Sequence, residues 1–508
     1  MVSKNLFSFI FTFFVALAFP VSSYAINYYV STTGSDSNGT GTIDKPFATM
    51  SKASTVVGAG STVYLRGGTY FTTTNLTSGS GTSSAYVTYQ PYPGEKVIIN
   101  GSKSSVTEHQ SLITLYKVNY VKINGFELAY SSGRGISATD SNFITISNNL
   151  IHDTKYKAIG ASGSNITIDR NEVYNAVMVN AGGVNTSGGW PQAVSTWKKG
   201  DGSASQNIYI TNNHIYNSWG EGIDAIALDG GRITGNRVSD TFSVLIYTDN
   251  ARNIVIDGNY LTAANPQYYR SGYPAVGIMI SAEDCCIPNP SYESENITIS
   301  NNLVDHTKSA LRYWNGDFNN PYRNLKVFNN TFVGSVNDPA IYFYSVNTSG
   351  NEMRNNIIRG GGTMPNSASW SFSNNNWVGG KPTFDTSPTS FSSTPQFVSP
   401  VIGGPADGYK LKSGDSSIGK GISTVVTKDF FGTVRPAQPT LGFYEYDNSG
   451  TSPNPEPTPK PWTTMEGDYT TWSTNYLKTM SGFISGDFSE NGVVDGVDFV
   501  LWLTKYGY

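Results

Sequence analysis

The sequence predicts an all-β chain, a right-handed parallel β-helix solenoid with an N-terminal capping helix and a small α-helical calcium-loop module at the C-terminus. Three observations carry this. An aliphatic-x-Ile-x-x-Asn phrase recurs along the chain: "ITISNN" ends at Asn149, "ITIDRN" at Asn171, "IYITNN" at Asn213 and "RITGN" at Asn236. It continues as "IVIDGN" at Asn259, "ITISNN" at Asn302, "LKVFNN" at Asn330 and "EMRNN" at Asn356. Its interval is nearly fixed, with Ile123 to Ile146 spanning 23 residues, Ile146 to Ile168 spanning 22, and Ile210–Ile233 and Ile233–Ile256 spanning 23 each. No helix-length amphipathic segment separates the phrases, which excludes βαβ units. A period in the twenties with "I-x-I" alternation means one strand-bearing coil per repeat, stacked on the next at roughly 4.8 Å. Leucine-rich repeats need leucines at fixed offsets, and propellers need longer repeats. The recurring Asn after each strand predicts a structural column that passes amide hydrogen bonds between coils.

At the N-terminus, Lys4, the apolar run Leu6–Val21 and "SSYA" predict a signal peptide over residues 1–25, cleaved after Ala25. Export to the extracellular space or cell surface follows. The net charge of −4 becomes −5 without Lys4, and no basic stripe suggests nucleic acid. The only two cysteines, Cys285 and Cys286, are adjacent. A disulfide framework is therefore excluded, and the pair reads as two thiols on an inserted loop, a vicinal disulfide being the other reading.

Residues 26–446 form the solenoid domain, of which 26–105 are the cap and opening coils. Pro46 to Val57 is a helical candidate, with Phe47, Met50 and Val57 on its apolar side, predicted to cover the open end of the stack. "YYVSTTGSDSNGTGTIDKPFATMSKA", "VYLRGGTY" and "VTYQPYPGEKVIING" resemble the opening of secreted pectate-lyase-like β-helix proteins, which include several polysaccharide lyase families. Residues 380–446 resemble the closing segment of the same proteins. That resemblance implies a parallel β-helix acting on polysaccharide. The Asp cluster and lysine context of family nine pectate lyases are not recognisable here, so pectate cleavage does not follow from it.

Residues 447–462 read as a Pro/Ser/Thr linker. Beyond it, "GDFSENGVVDGVDF" has calcium-loop spacing. Asp487, Ser489, Asn491, Asp495 and Asp498 fall at positions 1, 3, 5, 9 and 12, and Val493 offers its carbonyl at 7. "DYTTWSTNYL" matches "DFVLWLTKYG" 30 residues later, aligning Trp472 with Trp502 and Tyr476 with Tyr506. Residues 463–508 thus resemble a dockerin module, which implies Ca²⁺ and a cohesin-like or cell-surface docking partner. The first calcium loop has no counterpart.

Two repeat intervals are long: Ile168 to Ile210 spans 42 residues and Ile256 to Ile299 spans 43. Loops around 175–203 and 262–293 therefore project and wall a groove. Counting back ten from each anchor isoleucine predicts Ile136, Ala158, Ile223 and Ile246 as an inward column. The outward column is then Ser137, Ile159, Asp224 and Tyr247, continued by Met279 and Arg312. Asp224, Asp249 and Glu283 form a diagonal of carboxylates framed by Trp219, Tyr247 and Trp314. Arg312 lies beside them, and Glu221 stands just before the strand.

Carboxylates at coil spacing repel unless a cation or shared proton relieves them. In one reading Ca²⁺ held by Asp224, Asp249 and Glu283 pairs with a uronate carboxylate, and Arg312, Lys157 or Lys198 is the base of an elimination. In another, two carboxylates are acid and base of a glycoside hydrolase. The leading expectation is a monomeric, calcium-assisted polysaccharide lyase on uronate glycans. A non-catalytic glycan-binding adhesin is the rival from another class. His109, His152, His214 and His306 show no metal-spaced pair.

Overall fold

The computed structural model describes residues 26–314 and 321–446. The signal peptide, linker and calcium module of the sequence reading, with Asp487, Ser489, Asn491, Val493, Asp495 and Asp498, lie outside the described residues.

The isoleucine periodicity becomes a stack of parallel coils. Ile136 pairs with Ile159, Ile159 with Val194, Val194 with Ile223, Ile223 with Ile246, Ile246 with Ile278, and Ile278 with Leu311. All of these are fully buried. A second interior column runs Ile123, Ile146, Ile168, Ile210, Ile233, Ile256 and Ile299, again in parallel register. Where the coil bends without a break, one strand serves both faces, as in Arg134–Ser147. A further twelve-stranded parallel sheet, from Gly68–Tyr70 to Asn376–Val378, closes each coil. Burying each Ile or Val contributes roughly 1.5–3 kcal/mol, so the interior columns dominate stability.

The turn after each "I-x-I" strand explains the "NN" doublet. Its first residue takes a left-handed conformation, with φ of 54° at Asn148, 55° at Asn212, 51° at Asn301 and 55° at Asn329, and Gly235 and Gly258 occupy the same place. Asn and Gly tolerate that region best. The second residue is the ladder asparagine. Asn171 Nδ2 donates to Asn213 Oδ1 at 3.0 Å, Asn213 to Asn236 at 3.0 Å, Asn236 to Asn259 at 3.0 Å and Asn259 to Asn302 at 2.9 Å. Each Oδ1 also accepts the backbone N–H of the preceding ladder residue, and the column extends past Asn356 to Asn375. The amides are buried and mutually satisfied, so this column is structural.

Four expectations are corrected. The helix is Met50–Ser54, with Thr49 as its N-cap, and not the longer Pro46–Val57. Ile159, not Ala158, occupies the inward column. The strand Arg134–Ser147 carries one more residue in its bend than Ile159–Asp169, with a register shift between Ala138 and Ser141, so a fixed count of ten overshoots by one. Gly160 consequently faces outward beside Ser137. The two long intervals are not pure loops, because each contains a regular strand, Gln192–Thr196 and Val276–Ser281, with extra residues on both sides. Cys285 and Cys286 form a disulfide and not two thiols.

The segment after residue 380 folds back along the flank. Phe397, Tyr409, Leu411, Leu441 and Phe443 pack on Tyr260, Leu303, Val333 and Ile357. Buried Arg435 donates to Glu445 at 3.1 Å and to Asn301 at 2.7 Å.

Candidate active site

The outward neighbours of the first interior column form one face. Its successive members are Ser137, Gly160, Ser195, Asp224, Tyr247, Met279 and Arg312. Three positions earlier in the chain, a second row runs Arg134, Lys157, Gln192 and Glu221, with Gln192 and Glu221 directly paired. Asp224, Tyr247 and Arg312 lie in one row, as the alternation predicts, and Glu221, the first residue of its strand and not just before it, lies in the second row.

The extra loops enclose this face. Asp224 and Asp249 are each 2% exposed and Tyr247 is 3% exposed. Tyr247 Oη donates to Glu283 Oε1 at 2.6 Å, and the Glu283 backbone N–H donates to Asp249 Oδ1 at 2.8 Å. Asn250 Nδ2 donates to Asp249 Oδ1 at 2.9 Å. Glu283 lies beyond the end of its strand at Ser281, so the turn and these bonds hold it, not the ladder. Glu221 is crowded by the Asp224 carboxyl and by Gln192, its register partner in the preceding coil.

Electrostatics follow from the crowding. Burial, then Glu221 and Asp249, push the Asp224 carboxyl well above the usual range. Burial and Glu283 do the same to Asp249. Glu221 is pushed up to about 7, chiefly by burial, with neighbouring Asp224 opposing and the charge of Glu283 adding. Asp224 Oδ1 and Gln192 Oε1 are buried with no hydrogen-bond donor among the described residues. The cluster therefore calls for a proton or a cation.

Beside the acids a groove of about 610 Å³ crosses the preceding coils, lined by Arg134, Lys157, Trp190, Ser195, Trp197 and Lys198 among others. Lys157 Nζ donates to Ser195 Oγ at 2.8 Å, and Ser195 is the register partner of Asp224. Burial and the neighbouring Arg134 lower Lys157 to about 8, against the opposing pull of Asp224 and Glu221. Its ammonium lies 5.4 Å from the centre of the exposed Trp197 ring. Lys198 Nζ reaches the Ile287 carbonyl at 3.4 Å.

Two expected members stand apart. Arg312 is three coils from Asp224, about 14 Å at coil spacing. It donates to Asp338 at 2.9 Å and Tyr344 at 2.8 Å, with Trp314 close by. Tied to Asp338 and Tyr344 that far from the acids, it is not placed to act as their base. Trp219 does not frame the site but packs in the core on Phe242 and Tyr268. The sequence reading missed Arg134, Gln192 and Trp197, and His109, which bonds to Arg134 at 3.0 Å in the groove wall. His152 is structural, stacked on Tyr174.

A sequence profile described as "Pel9A-like, right handed beta helix region" matches residues 28–259, and one for a right handed beta helix region matches 198–332. Pectate lyase PEL9 of Emericella nidulans is 33% identical over 160 residues, 28% of this chain and 38% of that protein. The uncharacterised protein YwoF of Bacillus subtilis is 34% identical over 139 residues, 26% of this chain and 29% of that one. The chain thus spans well under half the length of the curated relatives it matches. Among solved structures, XylC in complex with xylose superposes at a TM-score of 0.57 with 14% identity, covering 84% of this chain and 99% of XylC. A rhamnogalacturonan lyase superposes at 0.50 with 20% identity, covering 74% of this chain and 91% of that one. The pectate-lyase-like parallel β-helix core is shared, and these two likenesses speak for the fold alone.

Proposed function

We propose that the chain is a polysaccharide lyase acting on uronate-containing glycans, with Lys157 as base and the Glu221–Asp224–Asp249–Glu283 cluster as the site of carboxylate handling. One observation carries the reading: a half-buried lysine bonded to Ser195, and lowered to about 8, faces an acidic cluster with an orphan carboxylate oxygen. The likeness of residues 28–259 to the Pel9A-like region supports it.

The chemistry needs a base near neutrality and a partner for a negatively charged sugar. Neutral Lys157 removes the proton on the carbon next to the uronate carboxylate. The C4–O bond then breaks, the leaving oxygen takes a proton from Glu221, and a double bond remains in conjugation with the carboxylate. Arg134, Lys198 and Trp197 bind the anionic chain along the groove. Asp224, Asp249 and Glu283 suit a hard cation through their oxygens, and the donorless Asp224 Oδ1 fits one. Ca²⁺ bound there would neutralise the substrate carboxylate and acidify the neighbouring C–H.

A second reading, hydrolysis, draws on the Glu221 carboxyl raised to about 7 beside Asp224, which is how a general acid is kept protonated near neutral pH. The test is digestion of pectate, alginate, glycosaminoglycan and neutral polysaccharides by the full chain, with and without chelator. Reducing ends together with the ultraviolet absorbance of an unsaturated uronate support the lyase. Reducing ends without that absorbance mean a hydrolase. Binding without cleavage that survives Asp224→Asn and Asp249→Asn means an adhesin.

The remaining proposals concern the surroundings of the site. Residues 1–25 direct export, and the helix Met50–Ser54, whose Met50 and Ala53 join the core, closes the N-terminal end of the stack. The chain works as a monomer. Residues 463–508 bind one Ca²⁺ through Asp487, Ser489, Asn491, Val493, Asp495 and Asp498 and dock the enzyme to a partner. Loss of one calcium equivalent in the Asp487→Asn, Asp498→Asn variant, read by calorimetry, tests that module.

A further inference from the structure

The adjacent cysteines have no part in the chemistry above, yet they sit against it. The disulfide lies in the short helical turn Asp284–Cys286, which starts immediately after Glu283. Cys286 is buried on Ile226 and Ala227, where the strand bearing Glu221 and Asp224 ends, whereas Cys285 is exposed. Both sulfurs and an Asp249 carboxylate oxygen fall within 4.8 Å of one another. This trio is not a metal centre, because both sulfurs are in the bond and no thiolate remains.

The contacts instead describe a clamp. Glu283 takes part in four bonds around this turn. Its N–H donates to Asp249, its carboxylate accepts from Tyr247, and its carbonyl accepts from Asn250 Nδ2 at 2.8 Å and from the Cys286 N–H at 3.2 Å. The next residues tie to the opposite wall of the groove, through Lys198 to the Ile287 carbonyl and through the Asn289 N–H to the Gly202 carbonyl at 2.9 Å. From Ala282 to Glu293 no sheet ladder fixes the chain. A covalent ring across two neighbouring residues, anchored on buried Cys286, removes the backbone freedom that such a segment otherwise keeps.

We propose that the Cys285–Cys286 disulfide is a positioning element of the acidic site, locking the turn that holds Glu283 over Asp249 and Tyr247. The inference rests on reading that cluster as the site of chemistry. Catalytic groups lose about 10²-fold in rate when displaced by roughly 1 Å, so a loosened turn shows in kcat.

The chain contains two cysteines, so reduction touches this bond alone. A small dithiol transfers two electrons and two protons, opening the S–S bond to two thiols while closing to its own cyclic disulfide. The experiment compares the oxidised full chain, the reduced full chain and Cys285→Ser, Cys286→Ser. Hydrogen exchange at the Glu283 and Cys286 amides is read together with kcat and KM on the glycan the oxidised protein cleaves. Expected on reduction are exchange at both amides at least about tenfold faster, strands 221–226 and 244–249 still protected, kcat at least about tenfold lower and KM within about twofold. Reoxidation restores all of them. Unchanged exchange at Glu283, or an unchanged kcat with a loosened turn, overturns the proposal. So does a loss accompanied by unprotected strands, which marks a merely structural bond. If the oxidised protein cleaves no glycan, the lyase reading falls, and the exchange at Glu283 alone decides the clamp.

Discussion

The asparagine ladder and the acidic face are both stacks of polar side chains, repeated coil on coil and nearly sealed from water. In the ladder every amide donates to one neighbour and accepts from the other, so the column closes on itself. On the acidic face carboxylates outnumber donors, and Asp224 Oδ1 meets none among the described residues. A buried polar column that satisfies itself stabilises the fold. One that cannot do so is incomplete without a proton, a cation or a substrate, and burial there works against stability.

Substitutions should separate the two columns sharply. Lys157→Met, which keeps the stem and removes the amine, is expected to lower kcat by about 10³-fold with stability at pH 7 unchanged or raised. Rates and a thermal melt on the same preparation check this. In the wild type, kcat should follow a bell peaking between pH 7 and 8, rising as Lys157 loses its proton and falling as Glu221 loses the proton the leaving oxygen needs. Asn236→Ala should do the opposite. It leaves the Asn213 backbone N–H without its partner and removes one bond each from Asn213 Nδ2 and the Ile210 carbonyl in the core, at about 3 kcal/mol by denaturant unfolding, with activity per folded molecule retained.

A smaller effect sharpens the contrast through pH. Glu221 is raised from 4.5 to about 7 in the folded chain, so its contribution is full below pH 4.5 and is lost as pH climbs through 7. Lys157 is lowered from 10.5 to about 8, so the unfolded chain binds more protons between 8 and 10.5 and stability recovers there. A shallow minimum of melting temperature between pH 7 and 8 is expected. Glu221→Gln should flatten its acid side, and ladder substitutions should leave its shape alone.

Much of this was legible in the sequence, for a physical reason. The isoleucine period and the "NN" turn repeat because each coil meets the same neighbours, so fold and ladder could be read directly. Asp224, Tyr247 and Asp249 fell out of strand alternation. Lys157 and Lys198 were read only as candidate bases, whereas Gln192 and Trp197 were missed because their coil departs from the period. A second phrase was nevertheless present: "RGIS" at 134–137, "KAIG" at 157–160, "QAVS" at 192–195 and "EGID" at 221–224. Aligned on its own small-aliphatic core, it puts Arg134, Lys157, Gln192 and Glu221 in one row without any fixed count. The disulfide was not legible, since adjacency of two cysteines says nothing of the turn that joins them.

The most direct test of the central claim, that the acidic face is built for chemistry and not for stability, is Asp224→Asn assayed twice on one preparation. The account predicts glycan cleavage reduced by at least about 10²-fold with a melting temperature equal to or above that of the wild type. Full cleavage, or a lost fold with cleavage falling only in proportion, would contradict it.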